Sequence, residues 1–128
     1  MTRRETMRTL TIEGRLPGLN EILDASRANY RIGNALKQQA QNAVMWHIRR
    51  QLRGVKYSKP VHLSYTFYEP NRKRDKDNIA SGAHKVVQDA LVKMGVLQGD
   101  GWRHIEGFED SFAVDKYDPR IVVEIREV

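Results

Sequence analysis

A chain of 128 residues, 40% hydrophobic and 30% charged, has the length of about one ordinary domain and the composition of a globular protein, not of a disordered one. The absence of cysteine excludes disulfides, thiolate zinc sites and cysteine nucleophiles. No apolar run approaches the roughly 20 residues of a membrane helix, so we expect no membrane partner, and the absence of cysteine fits a cytoplasmic protein. The net charge of +6, from 22 Lys and Arg against 16 Asp and Glu, suits a polyanionic partner such as nucleic acid.

The first half of the chain predicts one strand and one long helix. Residues 1–8 form a basic end that we expect to be flexible, and Leu10 and Ile12 alternate with polar neighbours as in a short strand. Residues 19–23 are consistent with a helical turn or a loop. From 31 to 52, apolar residues recur every four positions, which indicates an amphipathic helix.

The second half predicts a strand, a helix and two further strands. Apolar and polar residues alternate from Val61 to Tyr68, and Pro70 ends that strand. A helix is predicted over 78–94, followed by strands near 103–114 and 120–127 that are joined by a turn at 117–119. The expected fold is therefore α+β: one domain over 1–128, in β-α-β-α-β-β order, with a mixed sheet covered on one face by two helices.

The most informative feature is a pair of aspartates, Asp75 and Asp77, in the charged loop before the second predicted helix. If this loop stays extended, side chains two positions apart face the same way, and Lys76 between them points away. Two close carboxylates repel each other unless a cation bridges them, and Mg²⁺ prefers oxygen ligands shared with a substrate phosphate. The pair therefore indicates a Mg²⁺ site for phosphodiester hydrolysis. The alternative is a solvated loop in which Asp77 or Asn78 caps the helix.

Basic residues surround this pair. Arg72, Lys73 and Arg74 lie immediately before Asp75, where they can hold a phosphate of the DNA strand near the ion. In the helix that follows, Asn78, Gly82, Lys85 and Asp89 fall on one stripe, which brings the Lys85 stem back toward the carboxylates. Lys85 is alternatively a solvated partner of Asp89. Gly82 in the middle of a helix indicates a close approach by another part of the chain.

A third acid, Asp100, lies in a turn after the helix. A helix followed by a tight turn can bring Asp100 back to the strand end that carries Asp75 and Asp77, although a Gly-Asp-Gly context is also typical of an ordinary turn.

This ordered set of landmarks resembles the RusA family of Holliday-junction resolvases, found in bacteria and their prophages. The similarity covers about residues 72–100, with softer support from residues 16–20 and the closing strands, and it consists of Arg74-Asp75-x-Asp77-Asn78, Lys85, Asp89-Ala90-Leu91, Gly95 and Asp100. The segment from Asp77 to Lys85 is about one helical turn longer than in the best-known member, which nearly preserves the helical face of Lys85.

The resemblance implies a homodimeric, magnesium-dependent endonuclease that cuts four-way DNA junctions in recombination and repair. It implies Asp75, Asp77 and Asp100 as ligands of Mg²⁺, or of Mn²⁺ as a substitute, and Lys85 as a catalytic lysine. The expected DNA contacts are Arg72, Lys73, Arg74, Asn78 and Lys85, and no small-molecule cofactor is expected. Two alternatives remain open: a metal-dependent nuclease of other branched or single-stranded DNA, and a DNA-binding module without catalysis.

Overall fold

A computed structural model describes residues 7–128 of the chain. Residues 1–6 of the predicted flexible basic end lie outside this range, whereas Met7 and Arg8 already belong to the first strand. The chain forms four strands and three helices, in the order β-α-α-β-α-β-β. Their bounds are β1 Met7–Glu13, α1 Leu19–Ala28, α2 Tyr30–Gln51, β2 Val61–Glu69, α3 Lys76–Lys93, β3 Ile105–Val114 and β4 Arg120–Glu127.

The α+β class is confirmed, but the predicted number of helices was wrong by one. Residues 19–23, which the sequence predicts as either a helical turn or a loop, begin the ten-residue helix α1. This helix buries only one side chain, that of Ile22. Asn29 separates α1 from α2 and caps the latter, because its side-chain oxygen accepts the backbone N–H of Arg31 at 2.8 Å. A single residue therefore divides what the sequence predicts as one helix with a preceding turn.

The four strands form one mixed sheet in the order β1-β4-β2-β3. β4 is antiparallel to both β1 and β2, whereas β2 and β3 are parallel and are joined by the crossover helix α3. Parallel neighbours require such a crossover, and it places the carboxyl ends of β2 and β3 side by side at one end of the sheet. The amino end of α3 lies at that same end.

The core lies between the helices and one face of the sheet. In β2, Val61, Leu63, Tyr65 and Phe67 are at most 1% exposed, while the residues between them point to the other face and are partly exposed. Valines and alanines of α3 pack on this core, as do Val44 and Ile48 of α2. The alternation predicted for β2 is confirmed by this burial pattern.

Side chains of α2 cover the outer edge of the sheet at β1. Gln51 bonds both backbone groups of Thr11, at 2.7 and 2.8 Å, and Nε2 of His47 accepts the N–H of Glu13 at 3.3 Å. These contacts satisfy polar groups that an edge strand otherwise leaves open to another chain.

The segment before α1 packs tightly on α3. A Cβ at Gly82 would collide with the carbonyl oxygen of Pro17 and would lie 2.9 Å from the backbone nitrogen of Leu19. This is the close approach that the mid-helix glycine predicts, and the approaching element is the chain's own N-terminal segment. Within residues 7–128, no helix is long and apolar enough to cross a membrane.

Candidate active site

A cleft of about 800 Å³ opens where β2 and β3 end and α3 begins. Its walls come from the end of β2, the loop 70–75, the first turns of α3 and the last residues of β3. The lining residues are Glu69, Asn71, Arg72, Arg74, Asp75, Lys76, Asp77, Ile79, Phe112, Ala113 and Val114. The carboxyl ends of parallel strands and the amino end of a crossover helix are the usual location of ligand sites in α/β sheets.

Asp75 and Asp77 both line this cleft, but the loop does not stay extended through Asp77. Asp75 occupies the N-cap position of α3 with extended backbone angles, and Asp77 lies in the first turn of the helix. The prediction that Lys76 points away was consequently wrong, because a helical backbone turns about 100° per residue and Lys76 also lines the cleft.

The two carboxylates have the chemistry that a magnesium ion requires. Both side chains are exposed, and within the described part of the chain neither accepts a hydrogen bond or forms an ion pair. The alternative in which Asp77 or Asn78 caps the helix was wrong, because both residues lie inside α3; the N-cap position belongs to Asp75, which makes no side-chain cap bond. Mg²⁺ keeps several waters and is commonly bound by one or two carboxylates plus substrate phosphate, so Asp75 and Asp77 fit this ion.

Arg74 holds the floor of the cleft together. Its Nε and one terminal nitrogen donate to the two oxygens of Glu69 at 3.0 and 2.9 Å, and its other terminal nitrogen donates to Glu21 and to the carbonyl of Leu16, both at 3.0 Å. Burial lowers the pKa of Arg74, but the bonds to Glu69 and Glu21 outweigh this and leave that pKa above its ordinary value. The guanidinium expected to contact DNA is thus engaged within the protein.

Asn78 is likewise engaged within the protein. Its side-chain oxygen accepts the backbone N–H of Asn20 at 2.7 Å, at the start of α1. Together with the bond from Arg74 to the carbonyl of Leu16, this joins residues 16–20 to the start of α3. The two sequence segments that carry the family resemblance are therefore in direct contact, although they are more than 50 positions apart.

Three other cations lie in the same segment of the chain as the two carboxylates. Arg72 and Lys76 line the cleft, and Lys73 is exposed in the same loop. The ammonium of Lys76 lies 5.6 Å from the ring centre of Phe112, in β3, which holds the stem of Lys76 across the cleft. The first N–H groups of α3 add positive potential here, and a helix amino end favours a bound phosphate.

Lys85 lies outside the cleft. It follows Asp77 by eight positions, a rise of about 12 Å along α3, and its side chain is 72% exposed. Its ammonium pairs with Asp89 at 3.3 Å, which was the alternative to a catalytic role. The lysine of α3 that lines the cleft is Lys76, not Lys85. The prediction of an extended loop had placed the Lys76 side chain on the opposite side from Asp75 and Asp77.

The structure does not bring Asp100 to Asp75 and Asp77 in one chain. Leu97 forms a bridge with Tyr57, and the carbonyl of His104 accepts the N–H of Val61, so the turn that holds Asp100 lies where β2 begins. The cleft lies where β2 ends, about 26 Å away for nine residues at roughly 3.3 Å each. The predicted return of the chain was wrong, because the turn after α3 enters β3 at the far end of the sheet.

In keeping with this separation, no three acidic or histidine side chains among residues 7–128 form a metal-binding group. A single chain therefore supplies two of the three predicted ligands at the cleft.

A polar pair beside the cleft went unrecognised in the sequence. Nε2 of His84 lies 2.7 Å from a carboxylate oxygen of Asp110, and the imidazole is held between the rings of Tyr65 and Phe108, at 4.7 and 4.5 Å. The side chains of His84 and Asp110 are only 18% and 21% exposed. This pair fixes α3 on β3. It joins residues 26 positions apart, and no local pattern predicts that contact.

Comparison with known proteins adds no assignment to this geometry: neither a scan against protein-family models nor a search of curated proteins finds a match to the chain.

Proposed function

We propose that the protein is a magnesium-dependent endonuclease that resolves four-way DNA junctions by paired phosphodiester hydrolysis. The observation that carries the proposal is the pairing of two exposed carboxylates, Asp75 and Asp77, with a helix amino end and the two cations Arg72 and Lys76 at one cleft. A nuclease needs both parts, because the carboxylates hold a divalent cation and the positive groups hold the phosphate that the cation activates.

The proposed roles of the residues follow from their positions. Asp75 and Asp77 would hold Mg²⁺, which supplies a polarised phosphoryl oxygen and a more acidic water. Arg72, Lys73 and Lys76 bind the backbone phosphates, contacts that are independent of base sequence. Arg74 acts as a positioning residue, since its bonds to Glu69 and Glu21 fix the loop that presents Asp75.

The open form of the cleft supports a macromolecular substrate. Most of the polar residues that line it are exposed, among them Asn71, Arg72 and Lys76, and Lys73 is exposed in the same loop. The resemblance to the RusA family narrows the proposal to four-way junctions, to a homodimer that cuts two related strands, and to a cytoplasmic site of action. Two-fold symmetry suits this substrate, because it supplies two equivalent active sites.

A comparison of substrates tests the proposal. A labelled four-way junction, a flap, a linear duplex and a single strand of matched sequence are incubated with the protein in Mg²⁺ and in EDTA. Paired nicks in the junction that require Mg²⁺ support the proposal. Preferential cutting of the flap or single strand supports the alternative nuclease, and salt-dependent junction binding with no cleavage supports a non-catalytic module.

A further inference from the structure

The segment 115–119, which joins β3 to β4, crosses the end of the sheet where the cleft opens. β2 lies between β3 and β4 in the sheet, so this short connection passes over the carboxyl end of β2, from which the loop 70–75 leaves. The backbone N–H of Asp115 donates to the carbonyl of Glu69 at 2.8 Å, and both Glu69 and Val114 line the cleft. Residues 115–119 therefore lie beside the candidate active site.

Side-chain bonds hold this segment in one conformation. The carboxylate of Asp115 accepts the backbone N–H groups of Tyr117 and Asp118, at 3.2 and 3.1 Å, as in an Asx turn. It also accepts an N–H of the Arg120 guanidinium at 2.9 Å, and this bond and the two backbone bonds hold the pKa of Asp115 below its ordinary value. The guanidinium of Arg120 in turn lies 3.8 Å from the ring centre of Tyr68. The turn is thus pre-organised before any ligand binds.

This fixed turn presents an aromatic ring to solvent. Tyr117 is 89% exposed, and its bond to Asp115 is made through its backbone, so the ring contributes little burial to the fold. Tyrosine offers a large, rigid contact area at a low cost in side-chain entropy, which makes it a frequent binding residue on loops that a scaffold positions. The exposed ring therefore indicates a ligand, and its location beside the cleft indicates the substrate.

The charges nearby indicate a polyanion with flat apolar groups. Both acids of the segment, Asp115 and Asp118, pair with Arg120, whereas the ammonium of Lys116 lies 5.7 Å from the ring centre of Tyr117. The loop that leaves the end of β2 adds the cations at 72 and 73. Nucleic acid combines phosphates for these cations with base faces for the ring, and a tyrosine stacks on a base of any sequence.

We propose that Tyr117 stacks on a nucleobase at the branch point of the DNA junction and thereby favours branched over linear DNA. In a continuous duplex both faces of each base are covered by its neighbours, whereas a branch point interrupts the stack and exposes base faces. The preference for branched DNA is then set by Tyr117, while the cations bind phosphates of any duplex. This role rests on the DNA substrate of the proposed nuclease function.

Binding of two DNA molecules to three variants tests the stacking role. A labelled four-way junction and a linear duplex of matched sequence are titrated with the protein in EDTA, which prevents metal-dependent cleavage, and fluorescence anisotropy gives the dissociation constants. Tyr117→Ala should weaken junction binding by about 10-fold and duplex binding by less than about two-fold, because only the junction offers a free base face. Tyr117→Phe keeps the ring and should bind both DNA molecules as the wild type does.

Lys116→Ala is the matched control in the same turn. It removes a phosphate contact, so it should weaken junction and duplex binding alike, and its effect should shrink as salt rises. The stacking role is overturned if Tyr117→Ala leaves junction binding unchanged, weakens both DNA molecules equally, or is matched by Tyr117→Phe. A change in the solution mass of Tyr117→Ala, measured by light scattering, would assign the ring to a protein interface and would also overturn it.

Cleavage in Mg²⁺ separates this role from the nuclease function. If the wild type cuts the junction and Tyr117→Ala binds both DNA molecules as the wild type does, the stacking role fails while the nuclease function stands. If the wild type cuts no DNA but Tyr117→Ala selectively loses junction binding, the nuclease function fails while Tyr117 keeps its role in recognising branched DNA.

Discussion

Arg74 holds Glu69 with two parallel hydrogen bonds of 3.0 and 2.9 Å, and the Glu69 side chain is only 7% exposed. This bidentate pair ties the end of β2 to the residue that precedes Asp75. Because Glu69 closes the floor of the cleft and Arg74 also reaches α1, the pair sets the geometry of the loop from which the candidate ligands project.

Loss of Arg74 is expected to destabilise the protein strongly. Arg74→Gln leaves the buried carboxylate of Glu69 without its main cation, at a cost of about 3 kcal/mol in the free energy of unfolding. Urea denaturation followed by circular dichroism measures the change. Arg72→Gln is the matched control, since Arg72 is exposed and its loss should cost less than about 0.5 kcal/mol. The double variant Glu69→Gln/Arg74→Gln should be more stable than Arg74→Gln alone, because it leaves no buried carboxylate without a cation. A double variant that is less stable than Arg74→Gln would refute this role of the Arg74–Glu69 pair.

Gly82→Ala is expected to destabilise the fold even though alanine favours a helix. The added methyl group collides with the backbone of residues 17–19, and such overpacking costs about 2 kcal/mol. Urea denaturation measures the loss, and the neighbouring exposed substitution Ser81→Ala should change the stability by less than about 0.5 kcal/mol. An increase in stability for Gly82→Ala would show that the N-terminal segment does not pack on α3 as described.

Much of this fold follows from sequence periodicity. The strand β2 and helix α3 were predicted within two residues of their bounds, because alternation and a repeat near four residues report directly on burial. Helix α1 was left undecided, since one buried residue in ten gives it little apolar pattern. The candidate site was partly predictable because Asp75 and Asp77 are close in sequence, and their spacing, their basic neighbours and the family resemblance together selected them.

The remaining features of the site depend on long-range contacts. The pairing of Arg74 with Glu21 joins residues 53 positions apart, and the location of Asp100 depends on which end of the sheet the chain re-enters. Neither is encoded in local spacing. The error at Lys76 has a different origin, since it came from treating the start of α3 as extended loop.

Lys76 is expected to contribute more to cleavage than Lys85. Lys76 lines the cleft, whereas Lys85 is exposed, lies about 12 Å along α3 from Asp77 and pairs with Asp89. Removing a positive group beside a reacting phosphate lowers rates by roughly 100-fold, so Lys76→Met should lose about that factor and Lys85→Met about three-fold or less. Initial rates of junction cleavage at fixed salt provide the comparison. A larger loss for Lys85→Met than for Lys76→Met would instead favour the catalytic lysine that the RusA resemblance implies.

The central claim is that Asp75 and Asp77 form the metal-binding part of a nuclease site, and the rate of junction cleavage by Asp75→Asn tests it most directly. The substitution removes one carboxylate that has no bonding partner among residues 7–128, so folding should be unchanged while Mg²⁺-dependent cleavage falls by at least about 1000-fold. Asp24→Asn, the same change at an exposed position of α1, is the control and should cut at the wild-type rate. Cleavage by Asp75→Asn at the wild-type rate would contradict the account.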